Sequence, residues 1–479
     1  MNFVDREGEL ASLLDAYRSK AANLVTIYGR RRIGKTALIK KFCEKVNFAY
    51  YLCDTAPISE QLRRLSLSIG LAINDKELAE MGVASFEALF YRIAKLKMDK
   101  KLVIVFDEFQ NLARLDNAIP SIFQRGWDEY LSKSNVMLIL AGSSISMMRN
   151  EVLSYSAPLY GRSTQIFELK PLRPKHAFML MPKSMSMKEK LYLYFMLGGV
   201  PAYYANLDGA IADYENASID EILSAMVKEG SVFASEPSML LSEETKNDTK
   251  YLQILELIAN GVNKPSEIAS KIGIAHANLG KYMGVLEYIG IVEKEVPVNL
   301  QPLRKSKIGV YKINDNFTYF YFRTLKKALP SKNVQYIQDD LDLLSQSRFE
   351  YFAKEFLLEL SIDKKIFGIT KIGRWWGKDP SRPKGMNQEE IDVVALNEKR
   401  GDILFAECKW SNEKVGVELY EDLKRKSKLV QWHNNNRHEH YALFSKSGFT
   451  DEMRSIAEKE DVLLFDLEAI EKALNNSSS

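Results

Sequence analysis

Between an apolar run ending at Tyr28 and a helix-forming run beginning at Thr36 lies the octapeptide G-R-R-R-I-G-K-T, residues 29 to 36. Two glycines at this spacing, Gly29 and Gly34, let backbone wrap closely around phosphate oxygens while successive N–H groups and a helix N-terminus point inward. Lys35 is placed to reach the β- and γ-phosphates of a nucleoside triphosphate, and the Thr36 hydroxyl to ligate Mg²⁺. Arg30, Arg31, Arg32, Ile33 and Ala37 complete the candidate binding loop, although arginines on a loop rim are also well served by water. A loop of this kind needs a strand before it and a helix after it, so the motif constrains the fold as much as the ligand.

The surrounding sequence supplies that context. Apolar runs end at Leu52, Phe106 and Leu140, with T-Q-I-F-E-L following, and helical patterns separate them. Continuous β-branched and aliphatic runs alternating with helices predict a doubly wound parallel α/β domain over residues 1–170. The run L-V-I-V-F-D-E-F-Q delivers two carboxylates to a strand's C-terminal end, where such sheets place their ligands. Asp107 is the candidate to hold the Mg²⁺, and Glu108 to orient or deprotonate the attacking water.

From Pro171 the strand pattern stops, and a helical lid is expected over 171–241. The polar run Ser242–Lys250 reads as a linker, and a second polar stretch around Gln338–Asp342 precedes one long helix. Between them three helices and a strand predict a winged helix-turn-helix over 248–330, its exposed face offering His276, Asn278 and Lys281 to DNA and its wing offering Arg304, Lys305 and Lys307. Residues 340–475 predict a second α/β domain. In it Asp392 precedes Glu407 and Lys409, which lie two apart on one strand and so face one side. Such carboxylates can hold a divalent metal against a phosphodiester while the lysine steers water, with Glu350 completing the set.

The 479 residues suit several domains, and 46% hydrophobic with 27% charged residues describes a soluble globular chain. No apolar run is long enough to cross a bilayer, and the acidic start has no secretory h-region, so a cytoplasmic protein without membrane contact is expected. Cys43, Cys53 and Cys408 lack metal or disulfide spacing and read as buried thiols. The net charge of +3 is too small to argue for nucleic acid by itself.

F-V-D-R-E-G-E-L, G-R-R-R-I-G-K-T, V-F-D-E-F-Q, L-A-G-S-S, L-Y-G-R-S and G-G-V-P-A-Y-Y, in this order, resemble the archaeal-type ATPase family, P-loop enzymes related to AAA+ and STAND ATPases. The resemblance covers about the first half of the chain. It implies ATP as the nucleotide, Val4 and Arg6 beside the adenine, Ser143 as a polar sensor near the γ-phosphate, Pro201 of the lid near the base, and Arg162 as an arginine finger or sensor. About the last 140 residues, with F-E-Y, I-G-R-W-W-G, I-D-V-V-A and E-C-K-W, resemble the DUF234 domain and the PD-(D/E)XK nuclease core, with Ile391 where that motif has proline. The resemblance implies a restriction-endonuclease-like α/β domain. The leading expectation is an Mg²⁺-dependent ATPase coupled to a DNA-binding, nucleolytic C-terminal region, with DNA and a second copy of the chain as candidate partners. The alternative is a STAND-like switch or scaffold whose C-terminal domain only recognises.

Overall fold

The computed structural model describes residues 3–245, 249–300, 309–434 and 436–475. The first apolar runs form β1 (Asn23–Tyr28), β2 (Phe48–Leu52), β3 (Leu102–Asp107), β4 (Val136–Gly142) and β5 (Gln165–Glu168). They lie in the order β2-β3-β4-β1-β5, every neighbouring pair parallel. β1, β3 and β4 are buried along their whole length. That explains why their sequences run apolar without alternation. Leu13, Leu38 and Phe42 pack on one face of the sheet, and Phe90, Phe109 and Phe123 on the other. This strand order sends the loop after β1 out between β4 and β5, with only β4 separating β1 from β3.

Between β5 and the next strand the chain is helical. Helix Met187–Leu197 is buried at every position from Leu191 to Leu197. A helix apolar all round must be enclosed, and it is: the 28-residue helix Gln335–Ile362 packs against it, with Phe195 next to Phe349 and Phe352. Three further helices, Thr249–Ala259, Pro265–Lys271 and His276–Tyr288, lead into an antiparallel pair, β6 (Val292–Glu295) and β7 (Val310–Ile313). The last sheet contains β8 (Lys371–Lys378), β9 (Gln388–Asn397), β10 (Asp402–Lys409), β11 (His438–Ser445) and β12 (Leu463–Phe465), in sequential order. Its first three strands pair antiparallel and its last three parallel.

Two expected boundaries shift, and residues 246–248 of the first polar run lie outside the described residues. Ser242–Glu244 end the helix Glu236–Glu244, and Thr249 and Lys250 begin the next one. Gln338–Asp342 lie inside the long helix, because Ile337, Leu341, Leu344 and Arg348 recur at helical spacing on its buried side. The three cysteines are buried and unbridged. Among the described residues no helix is long and apolar enough to cross a membrane.

Candidate functional site

The loop from Gly29 to Lys35 opens at the C-terminal edge of β1 and passes into helix Lys35–Cys43. Gly29 has no room for a side chain: a Cβ there would stand 2.4 Å from the Leu169 carbonyl oxygen. Gly34 takes φ 95°, a left-handed conformation that glycine adopts without strain. The buried Lys35 ammonium folds across the loop and donates to the Gly29 and Arg30 carbonyls at 2.9 and 3.0 Å. Thr36 Oγ1 donates to Asp107 Oδ2 at 2.7 Å, and Tyr50 donates to the same oxygen at 2.7 Å. Burial and its bond to Asp107 push the Tyr50 hydroxyl above its ordinary range, so it stays a donor. Hydroxyl and carboxylate oxygens brought together in this way suit Mg²⁺, a hard cation.

Glu108 sits at φ 56°, a backbone strain of the kind found at functional positions. Its Oε2 accepts from the Ser143 hydroxyl at 2.7 Å, from the Ser143 amide at 3.2 Å and from Gln110 Nε2. A cavity of about 410 Å³ is lined by Val4, Arg6, Arg31, Arg32, Ile33, Gly34, Lys35, Thr36, Ala37, Glu108 and Pro201. A second cavity of about 380 Å³ shares Arg31 and Glu108 with it and adds Gln110, Arg114 and Ser143. Glu108 therefore stands between a space large enough for nucleotide and a space on the sensor side.

Two predicted site residues are placed elsewhere. Arg30 does not line either cavity; it turns away to Asp315 Oδ2 at 2.5 Å and to the Tyr203 hydroxyl at 3.0 Å. Arg162 precedes β5, where Thr164 bonds to the Leu24 carbonyl near the start of β1. The phosphate loop leaves the other end of that strand, five residues or about 16 Å away. Arg162 is held there by Asp128 through Nε at 2.8 Å and Nη2 at 2.7 Å, so it does not serve the site of its own chain.

Several residues of the site were not singled out from sequence. Glu236 pairs with Arg32 and accepts from the Tyr203 hydroxyl at 3.0 Å. Glu244, at the other end of the same helix, accepts from the Ile145 amide at 2.8 Å and from Ser144 Oγ at 3.2 Å, just beyond Ser143. Burial alone would lower the Arg30 pKa, but Asp315 and its neighbours hold it raised; burial would raise Asp315, but Arg30 and Thr318 hold it lowered. The pair is ionised on both sides. Gln110 had a signal in the D-E-F-Q run, whereas Asp315 and Glu236 lie more than 200 residues from their arginines and had none.

In the helices after Glu244, His276, Asn278 and Lys281 are exposed together at the start of His276–Tyr288. Arg304, Lys305 and Lys307 lie outside the described residues. At the C-terminal sheet, Ala406 pairs with Val393, and beyond that point the Cys408 amide turns to Asp392 Oδ2 at 2.9 Å. The strands splay there, and Asp392 comes near Glu407 and Glu350. Burial first, and then the Asp392 charge, raise the pKa of both glutamates above the carboxylate range. Lys426 bonds Glu407 at 3.0 Å, Arg374 stands 3.9 Å from Glu350, and Lys409 is exposed. Among the described residues no three acidic, histidine or cysteine groups are placed to hold a metal ion. Among the described residues Glu350, Asp392 and Glu407 are thus not arranged to hold a metal ion: Lys426 engages Glu407, Arg374 stands near Glu350, and the Cys408 amide donates to Asp392.

A family model described as an ATPase domain predominantly from Archaea matches residues 3–207, and DUF234, described as archaeal and bacterial proteins of unknown function, matches residues 316–424. An uncharacterized protein of Methanocaldococcus jannaschii is 35% identical over 476 residues, 97% of this chain and 99% of its own. An uncharacterized ATP-binding protein of the same organism is 49% identical over 53 residues, 11% of this chain and 90% of its own. Among solved structures, the Walker-type ATPase of Pyrococcus abyssi is similar at TM-score 0.49 and 19% identity over 67% of this chain and 96% of that one. The Aeropyrum pernix ORC2 protein is similar at TM-score 0.46 and 14% identity over 71% and 97%.

Proposed function

Because the chain belongs to the archaeal ATPase family with a C-terminal DUF234 domain, we propose that it binds and hydrolyses ATP with Mg²⁺ and uses its nucleotide state to control a DNA-directed C-terminal region. The observation that carries the ATPase reading is the 2.7 Å bond from Thr36 to Asp107, which joins the phosphate loop to the acidic strand end across 71 residues of sequence. Thr36 and Asp107 would hold the Mg²⁺, whose charge offsets that of the phosphates when it is bound. Lys35 would exchange its carbonyl partners for phosphate oxygens. Glu108 accepts a proton or orients water from its place between the two cavities, and Ser143 fixes that carboxylate. Val4, Arg6 and Pro201 line the remaining walls and supply a base-binding end.

The DNA reading rests on the winged-helix order of three helices and a strand pair, on the exposure of His276, Asn278 and Lys281, and on the D…E-x-K order of the last sheet. Steady-state phosphate release tests the central claim. Lys35→Ala should lower kcat/KM by about a thousandfold, and Glu108→Gln should lower kcat about a hundredfold or more while retaining nucleotide binding. Hydrolysis by Lys35→Ala at the wild-type rate would sink the reading. Incubation with labelled DNA and Mg²⁺ or Mn²⁺, with and without ATP, separates a nuclease from a recognition module: binding without cutting assigns the last domain to recognition, as in a STAND-like switch.

A further inference from the structure

We propose that the strand pair β6–β7 is a plug that closes the carboxylate cleft of the C-terminal sheet, with the Arg30–Asp315 ion pair making the phosphate loop its latch; this rests on the nucleotide reading above. The cleft beside Glu350 and Asp392 has a volume of only about 10 Å³, at the limit of one water molecule. It is lined by Glu295 of β6 and Lys312 of β7 together with Tyr351, Lys354 and Arg374. Lys312 pairs with Glu295 at 3.1 Å, and Arg374 reaches Glu295 at 3.8 Å and Glu350 at 3.9 Å. Tyr351 donates to Glu293 at 3.2 Å, and the Val298 amide bonds to the Arg374 carbonyl at 2.9 Å. A phosphodiester cannot approach Glu350 and Asp392 while these groups stay in place.

The plug is wired to the nucleotide site by a short stretch of chain. β7 ends at Ile313, and two residues later Asp315 holds Arg30 of the phosphate loop. The buried Arg348 grips the same turn, donating to the Ile313 carbonyl at 2.9 Å and to Asn316 Oδ1 at 3.2 Å, and Glu350 follows it by two residues. Residues 312–316 and 348–350 therefore connect the latch to the cleft. Entry of a triphosphate draws Lys35 off the Arg30 carbonyl and reshapes the loop that carries Arg30, whose side chain faces away from the cavity, so its pair with Asp315 is disturbed through the backbone. A buried carboxylate that loses its partner is costly, so the turn and β7 shift toward water and the plug loosens.

Hydrogen exchange on the full chain tests this, read on peptides within 292–300 and 309–313, together with carbodiimide labelling of Glu350 and Asp392. Asp315→Asn without nucleotide should speed exchange in both peptides by about tenfold and expose the two acids to labelling. Wild-type protein should show the same change on saturation with a non-hydrolysable ATP analogue, with analogue binding followed in the same sample. Unchanged exchange and labelling in folded Asp315→Asn overturns the proposal. Should that variant not fold, the double variant Glu295→Gln, Lys312→Met loosens the plug from the cleft side, and continued protection of Glu350 and Asp392 in it overturns the proposal equally. Wild-type protein that binds no analogue refutes the nucleotide reading alone, since the variants still decide whether the plug exists; analogue binding without faster exchange refutes the latch.

Discussion

At the residue scale, the proposed hydrolysis turns on how one oxygen of Glu108 is occupied. Ser143 has a single hydroxyl proton, and it is given to Glu108 at 2.7 Å. On the proposed reading a γ-phosphate arriving on the sensor side would compete for that proton, and Ser143 would couple the position of Glu108 to the nucleotide. Ser143→Ala should therefore lower kcat by about 10- to 100-fold and leave ATP affinity within about twofold, measured by steady-state hydrolysis and by equilibrium nucleotide binding. The loop and strand end of this arrangement were legible in the sequence because phosphate chemistry demands contiguous residues: Gly29 to Thr36 in one loop, and Asp107 with Glu108 at one strand end, which the structure brings together. The partners that steer it were not, since Asp315 and Glu236 announce an ion pair through no spacing or period. Arg162 precedes β5, and because β5 pairs parallel with β1 that position lies at the edge of the sheet opposite the phosphate loop. A second residue-scale consequence concerns Glu355, a solvent-exposed residue of the long helix whose carboxyl is partly covered and accepts from the Tyr194 hydroxyl at 2.8 Å. Burial pushes its pKa up to about 7, the Tyr194 bond opposing. Between the ordinary carboxyl range and pH 7 the native chain holds a proton that the unfolded chain releases, so this group's contribution to stability falls as pH rises through that window. Glu355→Gln should then be more stable than wild type at pH 8, by about 1 kcal/mol or less because solvent screens the partly exposed carboxyl, and gain little at pH 5, which urea unfolding at the two pH values will show.

At the element scale, the helix Glu236–Glu244 spans the distance between the phosphate loop and the turn after Ser143. Its first residue pairs with Arg32 in the phosphate loop, its last caps the turn after Ser143, and its Leu240 and Leu241 belong to the core of the three-helix unit that follows. Polar residues at its end read as a linker in sequence because Ser242, Glu243 and Glu244 include no apolar residue; the apolar contacts lie one turn earlier. The G-G-V-P-A-Y-Y segment is set by geometry of the same scale. Gly198 takes φ 61°, and a Cβ on Gly199 would stand 1.8 Å from the Leu172 carbonyl oxygen, backbone that cannot give way cheaply. That approach allows the Leu172 amide to bond Gly199 at 2.7 Å and brings Leu172 and Pro201 onto the same cavity wall. Gly199→Ala should force the two segments apart and weaken ATP binding by about tenfold or more, with a smaller effect on kcat at saturating ATP, as titration with a fluorescent ATP analogue and saturation kinetics will distinguish.

At the scale of the whole molecule, four segments are legible in the sequence but four independent cores are not what the chain builds. Helices of the lid and the C-terminal region share one apolar cluster that runs from Leu172 through Phe195 and Phe349 to Ala406 and Leu474. Trp410, directly after β10, sits at its junction, with ring centroids 5.3 Å from Phe195, 5.6 Å from Tyr192 and 5.0 Å from Phe349. Its indole N–H donates to Asp342 at 2.9 Å. Sequence periodicity identifies each apolar face but not its mate, so a lid helix that is apolar all round signals burial without saying against what. The sharing constrains the proposed mechanism. A nucleotide-driven motion cannot separate the lid from the last sheet without exposing this cluster, so the parts left free to move are the parallel-sheet core on one side and the unit carrying β6 and β7 on the other. It follows that lid and C-terminal sheet should melt together. Trp410→Ala removes the side chain on which both depend and should cost about 3 to 5 kcal/mol. Pulsed proteolysis in urea, read separately on peptides from 187–207 and from 388–409, should find both regions lowered by the same increment and the parallel-sheet peptides of 102–142 lowered less; a loss confined to 388–409 would mean that the two halves of the cluster fold apart.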